Sequence, residues 1–205
     1  MKRLAVAVAV AFLLWFVMFL PLTGGTVNFW LAMSLSAVIL LSMAFFADKK
    51  GIVDSVHFSW KDLLTGVVSA AVLWGIFWLG NFLSTKMFDF ASGQIGSVYA
   101  MKDGCSQPLI AVLLLLLIGP AEEVFWHGFV QRKLSEKYGF FLTVGVTVLI
   151  YSAVHVPSLN FMLVMAALVC GAFWSTIYYF NRNLFTVIVS HSLWDCAVFV
   201  VFPIV

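Results

Sequence analysis

Carboxylate and imidazole side chains, the groups that most often exchange protons in catalysis, occur together at three places in the second half of the chain. They are the pair Glu122 and Glu123 with His127, the single His155, and the pair His191 and Asp195. His127 follows Glu123 by four residues and Asp195 follows His191 by four, so each pair shares one face of a helix. The residue types and their spacing predict an acid–base site.

The surroundings of the two glutamates are unusual for charged groups. The preceding run, residues 109–118, has no polar side chain, and 63% of the chain is hydrophobic whereas 10% is charged. A carboxylate at the centre of a membrane helix costs roughly 2.5–3.5 kcal/mol on insertion scales, so it is normally functional. Pro120 removes a backbone hydrogen bond, and bent backbone at membrane depth is tolerated where protein or a water-filled cavity receives it. We therefore expect an internal wet pocket beside the pair.

The elements that must position these residues are membrane-spanning helices. Seven apolar stretches are each near the ~20 residues that cross a bilayer, and they lie at about 4–22, 27–47, 63–85, 108–131, 140–156, 159–180 and 184–204. The chain is thus predicted to be an all-α, polytopic transmembrane bundle forming one integrated membrane domain. Residues 1–107 hold spans one to three and an outer connection, and residues 108–205 hold spans four to seven with the candidate site.

Basic residues are distributed unequally between the two sides of this bundle. Nine of the eleven lie at the N-terminus and in the connections after spans two, four and six, and only Lys86 and Lys102 lie on the other side. Because excess Lys and Arg mark the cytoplasmic side, we predict a multi-pass protein of the cell membrane with its N-terminus inside and its C-terminus outside. The first apolar stretch exceeds the roughly 7–15 residues of a signal peptide and is expected to remain as a helix.

Other kinds of site find little support in the sequence. The three cysteines, Cys105, Cys170 and Cys196, include no CxxC pair and indicate no disulfide framework. The chain has no glycine-rich phosphate loop and no basic–aromatic surface, so we expect no nucleic-acid partner.

Counting residues from the predicted turns brings the candidate residues together. Glu122 and His155 are 33 residues apart around a turn near Tyr138, which places them at one height in an antiparallel hairpin. His191 lies roughly 13 Å above the turn after span six, which is lower than Glu122 and His155 lie above theirs. The heights agree if the charged tip 132–137 protrudes from the membrane. We expect Glu122, Glu123, His155, His191 and Asp195 to converge in the cytoplasmic half. One buried histidine or one Asp–His pair is often a packing feature, whereas five such residues on three helices indicate a functional site.

Three segments resemble the motifs of the CPBP intramembrane proteases, which include the type II CAAX prenyl endopeptidases and bacterial abortive-infection and bacteriocin-processing relatives. The family motifs EExxxR, FxxxH and HxxxN or HxxxD are matched by Glu122 to His127, Tyr151 to His155, and His191 to Asp195. The resemblance covers about residues 108–205. Tyr151 stands where the family usually has Phe, and His127 stands where it has an arginine. Arginine is always charged and donates in a rigid fork, whereas histidine titrates near neutral pH.

The resemblance implies hydrolysis of a peptide bond without a covalent intermediate and without a cofactor. Glu122 would take a proton from the attacking water, which His155 would help to position. His191, with Asp195 beside it, would stabilise the oxyanion, and Glu123, braced by His127, would tune Glu122. The implied partners are the lipid bilayer and a membrane-associated protein or peptide, such as a CAAX tail, a leader peptide or a C-terminal sorting tail.

Two alternatives remain open from the sequence. His155, His191 and Glu123 could hold a catalytic zinc ion with water as the fourth ligand, although the chain has no HExxH motif. A non-enzymatic membrane protein, such as an immunity factor or a proton-coupled carrier, would use the same groups as a proton relay. The second alternative predicts that Glu122 is dispensable for cleavage but needed for transport or protection.

Overall fold

The computed structural model describes residues 2–20 and 28–204, and this part of the chain is helical without a strand. Seven of its helices are long and apolar enough to cross a membrane. With a short helix, α4, between the third and fourth of these, the helices in chain order are α1 (Lys2–Phe19), α2 (Phe29–Val53), α3 (Trp60–Met87), α4 (Ala91–Ala100), α5 (Gln107–Ser135), α6 (Phe140–Ser158, α-helical over Phe140–Ala153), α7 (Phe161–Asn181) and α8 (Leu184–Val201). The predicted all-α, seven-span architecture is confirmed, whereas the predicted first connection, near 22–27, lies outside the described residues.

Helix α2 continues past its predicted end because the chain is kinked there and not broken. Asp48, one residue beyond the predicted end at 47, has φ −158° and ψ 55°, and helical turns resume after it. Its side chain accepts the backbone N–H of Gly51 (3.3 Å) and pairs with Arg132 and Lys133 at the end of α5. Both basic side chains also contact Glu136. This charged cluster, consisting of Asp48, Arg132, Lys133 and Glu136, ties the end of α2 to the end of α5.

Polar residues set where several helices begin. A side-chain oxygen of the residue before the helix accepts a hydrogen bond from a backbone N–H of the first turn, which would otherwise have no partner. These residues are Asn28 before α2, Ser59 before α3, Asn160 before α7 and Asn183 before α8. Arg182, at φ 57°, makes the tight turn that folds α8 back beside α7. The turn therefore brings His191 and Trp174 to similar depth.

Helix α8 is held between α3 and α5 by close backbone contacts at glycines. A Cβ on Gly66 of α3 would lie 2.8 Å from the carbonyl oxygen of Thr186, and one on Gly119 of α5 would lie 2.6 Å from Ser192 Oγ. Small residues allow this approach in many membrane helix pairs. The contacts place α8, with its histidine and aspartate, directly against the glutamate-bearing part of α5.

The outer connection between the third and fourth spans contains a short helix, α4, that was not predicted from the sequence. Helix α4 lies across the ends of α7 and α8. Gln94 Oε1 accepts the backbone N–H of Met162 (3.0 Å), and Asn160 Nδ2 donates to the Gln94 carbonyl (2.8 Å). The Tyr99 hydroxyl accepts the backbone N–H of Ile204 (2.9 Å). These contacts fix α4 as a cap over one end of the bundle.

Candidate active site

The two glutamates lie on a short α-helical segment, Gly119–Glu123, between two π-helical segments, Leu114–Ile118 and Val124–Gln131. The Gly119 N–H bonds the Leu114 carbonyl five residues back, and Pro120 has no N–H to donate. At Pro120, where a bend was expected, the helix therefore changes between α-helical and wider π-helical turns. Such π-helical turns occur frequently at functional sites. Consecutive residues lie about 100° apart around a helix, so Glu122 and Glu123 face different neighbours.

Glu122 faces an internal cavity of about 510 Å³, whereas Glu123 does not line it. The Tyr151 hydroxyl is 3.5 Å from Glu122 Oε2, which is a contact longer than a strong hydrogen bond. His155, His191 and Asp195 also line this cavity. The structure therefore brings the candidate acid–base residues of α5, α6 and α8 to one internal space.

Glu123 is the centre of a buried cluster with two histidines. Its Oε1 accepts a hydrogen bond from His191 Nδ1 at 2.7 Å, and its Oε2 lies 2.7 Å from His127 Nδ1. The second contact has the distance of a hydrogen bond but not its alignment, so we describe it as a close contact between the two side chains. Glu123 and His127 are each 1% exposed. One carboxylate thus joins α5 to α8 and is braced within its own helix by His127, in the position of the motif arginine.

The ring of His191 is fixed on several sides. Its Nε2 lies 3.4 Å from Asp195 Oδ2, and its ring stacks on the indole of Trp174 with centroids 3.9 Å apart. Trp174 Nε1 donates to Ser190 Oγ (3.1 Å), which in turn lies 2.9 Å from Ser69 Oγ on α3. Side chains from α3, α7 and α8 therefore all contribute to the orientation of this imidazole.

His155 stands at the end of α6, where Pro157 in the turn Val156–Ser158 terminates the helix. Its Nδ1 lies 2.9 Å from the carbonyl oxygen of Tyr151 and must carry the proton, because a carbonyl only accepts. The other nitrogen, Nε2, is thereby left as an acceptor in the neutral ring. The ring also packs against Phe19 of α1, with centroids 5.3 Å apart.

Several residues that surround the site were not predicted from the sequence. Ser175 Oγ lies 3.2 Å from His127 Nε2, and Gln131 Nε2 donates to the Ser175 carbonyl (2.7 Å). The other residues missed are Trp174, Ser190 and Ser69. Single serines and tryptophans are common in membrane helices, and no spacing connected these with the acidic motifs. Only the packing of α3 and α7 reveals their role.

The three residues that the sequence offered as zinc ligands, His155, His191 and Glu123, do not converge on one possible metal position. His191 faces carboxylates with both nitrogens, and Glu123 faces two histidines with its two oxygens. Within residues 2–20 and 28–204, no group of three or more His, Cys, Asp or Glu side chains is arranged to hold a metal ion. The zinc hypothesis stays a prediction for experiment. The cysteines Cys105, Cys170 and Cys196 are free.

Fold and site define a class: a polytopic helical membrane protein with a buried carboxylate–histidine cluster beside an internal cavity. Residues 104–197 match the family model described as type II CAAX prenyl endopeptidase Rce1-like. This range contains all three motifs, so the resemblance predicted from them is confirmed over that part of the chain. The family is one of proteases, which supports an enzymatic function. Comparisons with curated proteins and with solved structures gave no match.

Proposed function

We propose that the protein is an intramembrane endopeptidase, which hydrolyses a peptide bond of a membrane-associated protein or peptide with water that Glu122 activates. The observation that carries the proposal is the division of labour between adjacent glutamates. Glu122 faces the cavity together with His155, whereas Glu123 is held by His127 and His191. The family match over residues 104–197 supports proteolysis as the reaction.

In the proposed mechanism, Glu122 is the general base and His155 positions the water. One water O–H donates to the Glu122 carboxylate and the other to His155 Nε2, which is free because Nδ1 is engaged by the Tyr151 carbonyl. As the proton moves to Glu122, the water oxygen bonds to the scissile carbon and the carbonyl electron pair moves to its oxygen. The proton then passes from Glu122 to the amide nitrogen, and the C–N bond breaks.

The tetrahedral intermediate carries a negative oxygen that needs a fixed donor. We assign this role to the Nε2–H of His191, which lines the cavity. Its Nδ1 donates to Glu123 at 2.7 Å, whereas Nε2 lies 3.4 Å from Asp195 Oδ2, a contact long enough to leave this N–H for the oxyanion. The stack on Trp174 restricts rotation of the ring. A donor that is oriented before the reaction need not reorganise as charge develops, and loss of such a donor typically costs about 10²–10³ in kcat.

A comparison of membrane proteomes tests the proposal directly. Cells that express the wild type or Glu122→Gln are analysed for uncut precursors, with Asp103→Asn as a matched control, because Asp103 is an exposed carboxylate outside the spans. We expect precursors to accumulate only with Glu122→Gln. Unchanged cleavage in that variant contradicts the proposal, and loss of transport or protection with normal cleavage identifies the non-enzymatic alternative.

A chelation series separates the metal-free mechanism from the zinc form. In the metal-free mechanism, the water is activated by Glu122 alone. This choice is supported by Glu123, whose two oxygens both contact histidines, and by His191, whose Nδ1 is bonded to Glu123. Purified protein in detergent is treated exhaustively with a chelator and assayed for cleavage of a substrate found in the proteome comparison. We expect full activity. Loss of activity that added zinc restores would establish the zinc form instead.

A further inference from the structure

The cavity beside Glu122 continues well beyond the proposed catalytic residues, along one face of α3. Its lining includes five α3 residues and the residue that follows the helix, namely Ile76, Phe77, Gly80, Asn81, Ser84 and then Phe88. Their spacing is that of a single helix face. Before this stretch, α3 packs tightly on α8: Leu73 is fully buried and Ser69 contacts Ser190. The cavity therefore begins where the contact between α3 and α8 ends.

The far part of the cavity is open on the side formed by α3 and α7. Ile76 on α3 and Phe161 and Met165 on α7 line it, yet they retain 41%, 47% and 37% of their surface accessible. Both helices are among those long and apolar enough to cross a membrane. In a protein whose α3 and α7 span the membrane, an opening between these two helices faces the apolar interior of the bilayer.

The cavity leads away from the basic side of the protein. Its far lining comes from Phe19 at the end of α1, Phe29 at the start of α2, and Tyr99 on the cap helix α4. These residues lie at the end of the bundle opposite the connections that carry nine of the eleven basic residues. From the level of Leu73 to that of Phe88, α3 rises by roughly 22 Å at 1.5 Å per residue.

We propose that this cavity is the binding site for an apolar segment of the substrate polypeptide, held extended between α3 and α7 with its scissile bond at Glu122. The proposal rests on the proposed endopeptidase function. At about 3.3 Å per residue, the available length accommodates six or seven residues of extended chain. The segment enters laterally between α3 and α7 and extends toward the end capped by α4, so the substrate class is a membrane protein or peptide with an apolar stretch in that half of the bilayer.

Polar groups along the apolar wall favour a polypeptide over a lipid chain as the occupant. An extended peptide in an apolar site must find partners for its N–H and C=O groups, whereas a hydrocarbon chain needs none. Asn81 lines the cavity, and its side-chain amide makes no hydrogen bond within the described part of the chain. An asparagine amide offers both donors and an acceptor, which is the complement of one peptide group.

Two glycines on α3 provide a matched pair of variants. A Cβ added at Gly80 or at Gly75 would meet no atom within 4 Å, so both positions accept a side chain. Gly80 lines the cavity and Gly75 does not. Gly80→Phe should therefore fill the proposed site, whereas Gly75→Phe adds the same apolar bulk to the same helix outside it.

The experiment measures binding without cleavage. Protein carrying Glu122→Gln is reconstituted in nanodiscs with a synthetic peptide that has a short leucine–alanine stretch, lysine flanks and a benzophenone at one end of the stretch. After irradiation, we expect the peptide labelled at one end of the stretch to cross-link to α4. The peptide labelled at the other end should cross-link to the Tyr151–His155 region. Gly80→Phe should lower the cross-link yield by about tenfold or more, Gly75→Phe should leave it unchanged, and Asn81→Leu should lower it by about tenfold.

Equal yields for the two phenylalanine variants would overturn the proposal. So would saturable binding of farnesylated cysteine methyl ester that displaces the peptide and is insensitive to Asn81→Leu, because the cavity would then be a lipid site. The readout also separates this proposal from the proposed function. If the peptide binds as expected but wild-type protein cuts no substrate, only the endopeptidase assignment is wrong. If Gly80→Phe cleaves substrate as fast as the wild type, only the proposed binding site is wrong.

Discussion

The indole of Trp174 lies nearly parallel to the imidazole of His191, with the ring centroids 3.9 Å apart and the planes at 20°. The two residues belong to neighbouring helices, and the indole is itself anchored through Ser190. A stacked aromatic face restricts rotation of the imidazole and attracts its cationic form. Trp174 is therefore a positioning residue for the group that we assign to the oxyanion.

We predict that Trp174→Phe lowers kcat by about tenfold with little change in KM, because the ring remains but its hydrogen bond to Ser190 is lost. Ser69→Ala serves as the control, since it removes only the outer member of the same network and should leave kcat within about twofold. Steady-state kinetics on a proteoliposome substrate gives both constants. A Phe variant whose KM rises while kcat is unchanged would contradict the positioning role.

Substitution of the two adjacent glutamates should separate activity from stability. Glu122→Gln removes the proposed base and should reduce cleavage by orders of magnitude at a nearly unchanged melting temperature. Glu123→Gln breaks a buried cluster with His127 and His191 and should destabilise the fold by about 3–5 kcal/mol. Thermal unfolding in one detergent, together with the cleavage assay, measures both effects. The same melting temperature for both variants would contradict the assigned division of labour.

His127 should be replaceable by arginine better than by alanine. His127→Ala leaves Glu123 Oε2 without its partner at 2.7 Å and should lose most activity. His127→Arg restores a donor, but at a site only 1% exposed the longer side chain must displace Ser175, so overpacking of about 1–3 kcal/mol is expected. His127→Arg combined with Ser175→Gly should therefore cleave faster than His127→Arg. An inactive Arg variant beside a normal Ala variant would reduce His127 to a packing residue.

The orientation in the membrane is a prediction from the nine-to-two distribution of basic residues. Reporters fused after Lys137 and after Val205 should give opposite signals, with the first in the cytoplasm. The same signal from both fusions would contradict the three spans between Lys137 and the C-terminus, and with them the seven-span topology. Opposite signals in the reverse order, with the Lys137 fusion outside, would be consistent with seven spans but would show that the orientation in the membrane is the reverse of the predicted one.

Within the charged cluster, Asp48→Asn should cost more stability than Glu136→Gln. The Asp48 side chain is 17% exposed and meets two basic residues, whereas that of Glu136 is 48% exposed, so its pairs are screened by water. The hydrogen bond from Lys133 holds the pKa of Glu136 below its usual value. Its small contribution is therefore present above the usual glutamate pKa and is lost as pH falls through the lowered one. Melting temperatures of both variants at pH 7 and pH 4 measure this, and equal losses at pH 7 would contradict it.

Much of the helical frame follows from the sequence, since an apolar stretch of bilayer length has few other stable conformations. The helix that was not predicted, α4, has two glycines and three polar residues in ten positions, and its contacts through Gln94 and Asn160 are with distant parts of the chain. Tertiary contacts of this kind leave no periodic pattern. Asp48 likewise marked the end of an apolar run but gave no indication that helical turns resume beyond it.

The candidate site shows the same division between local and distant information. Spacings of four residues predicted that Glu123 and His127 share a face and that His191 and Asp195 do too, and the structure places both pairs in contact. Adjacent residues on a helix must face different directions, but the sequence did not predict that Glu122 would face the cavity and Glu123 the histidines. That separation depends on which helices lie beside α5, and Trp174 and Ser190 contribute through packing between α3, α7 and α8. The catalytic roles of these residues stay predictions.

The pairing of Glu123 with His191 has a consequence for the order in which the protein is made. The two residues are 68 positions apart, and the histidine is on the last helix. At a synthesis rate of about 5–20 residues per second, Glu123 emerges some 3–14 seconds before its partner. During that interval, α5 holds two carboxylates, each costing roughly 2.5–3.5 kcal/mol in the bilayer centre, with only His127 to offset one of them. Helix α5 therefore exists before the partner of Glu123 on α8 does, and a chain that ends before α8 keeps this carboxylate without His191.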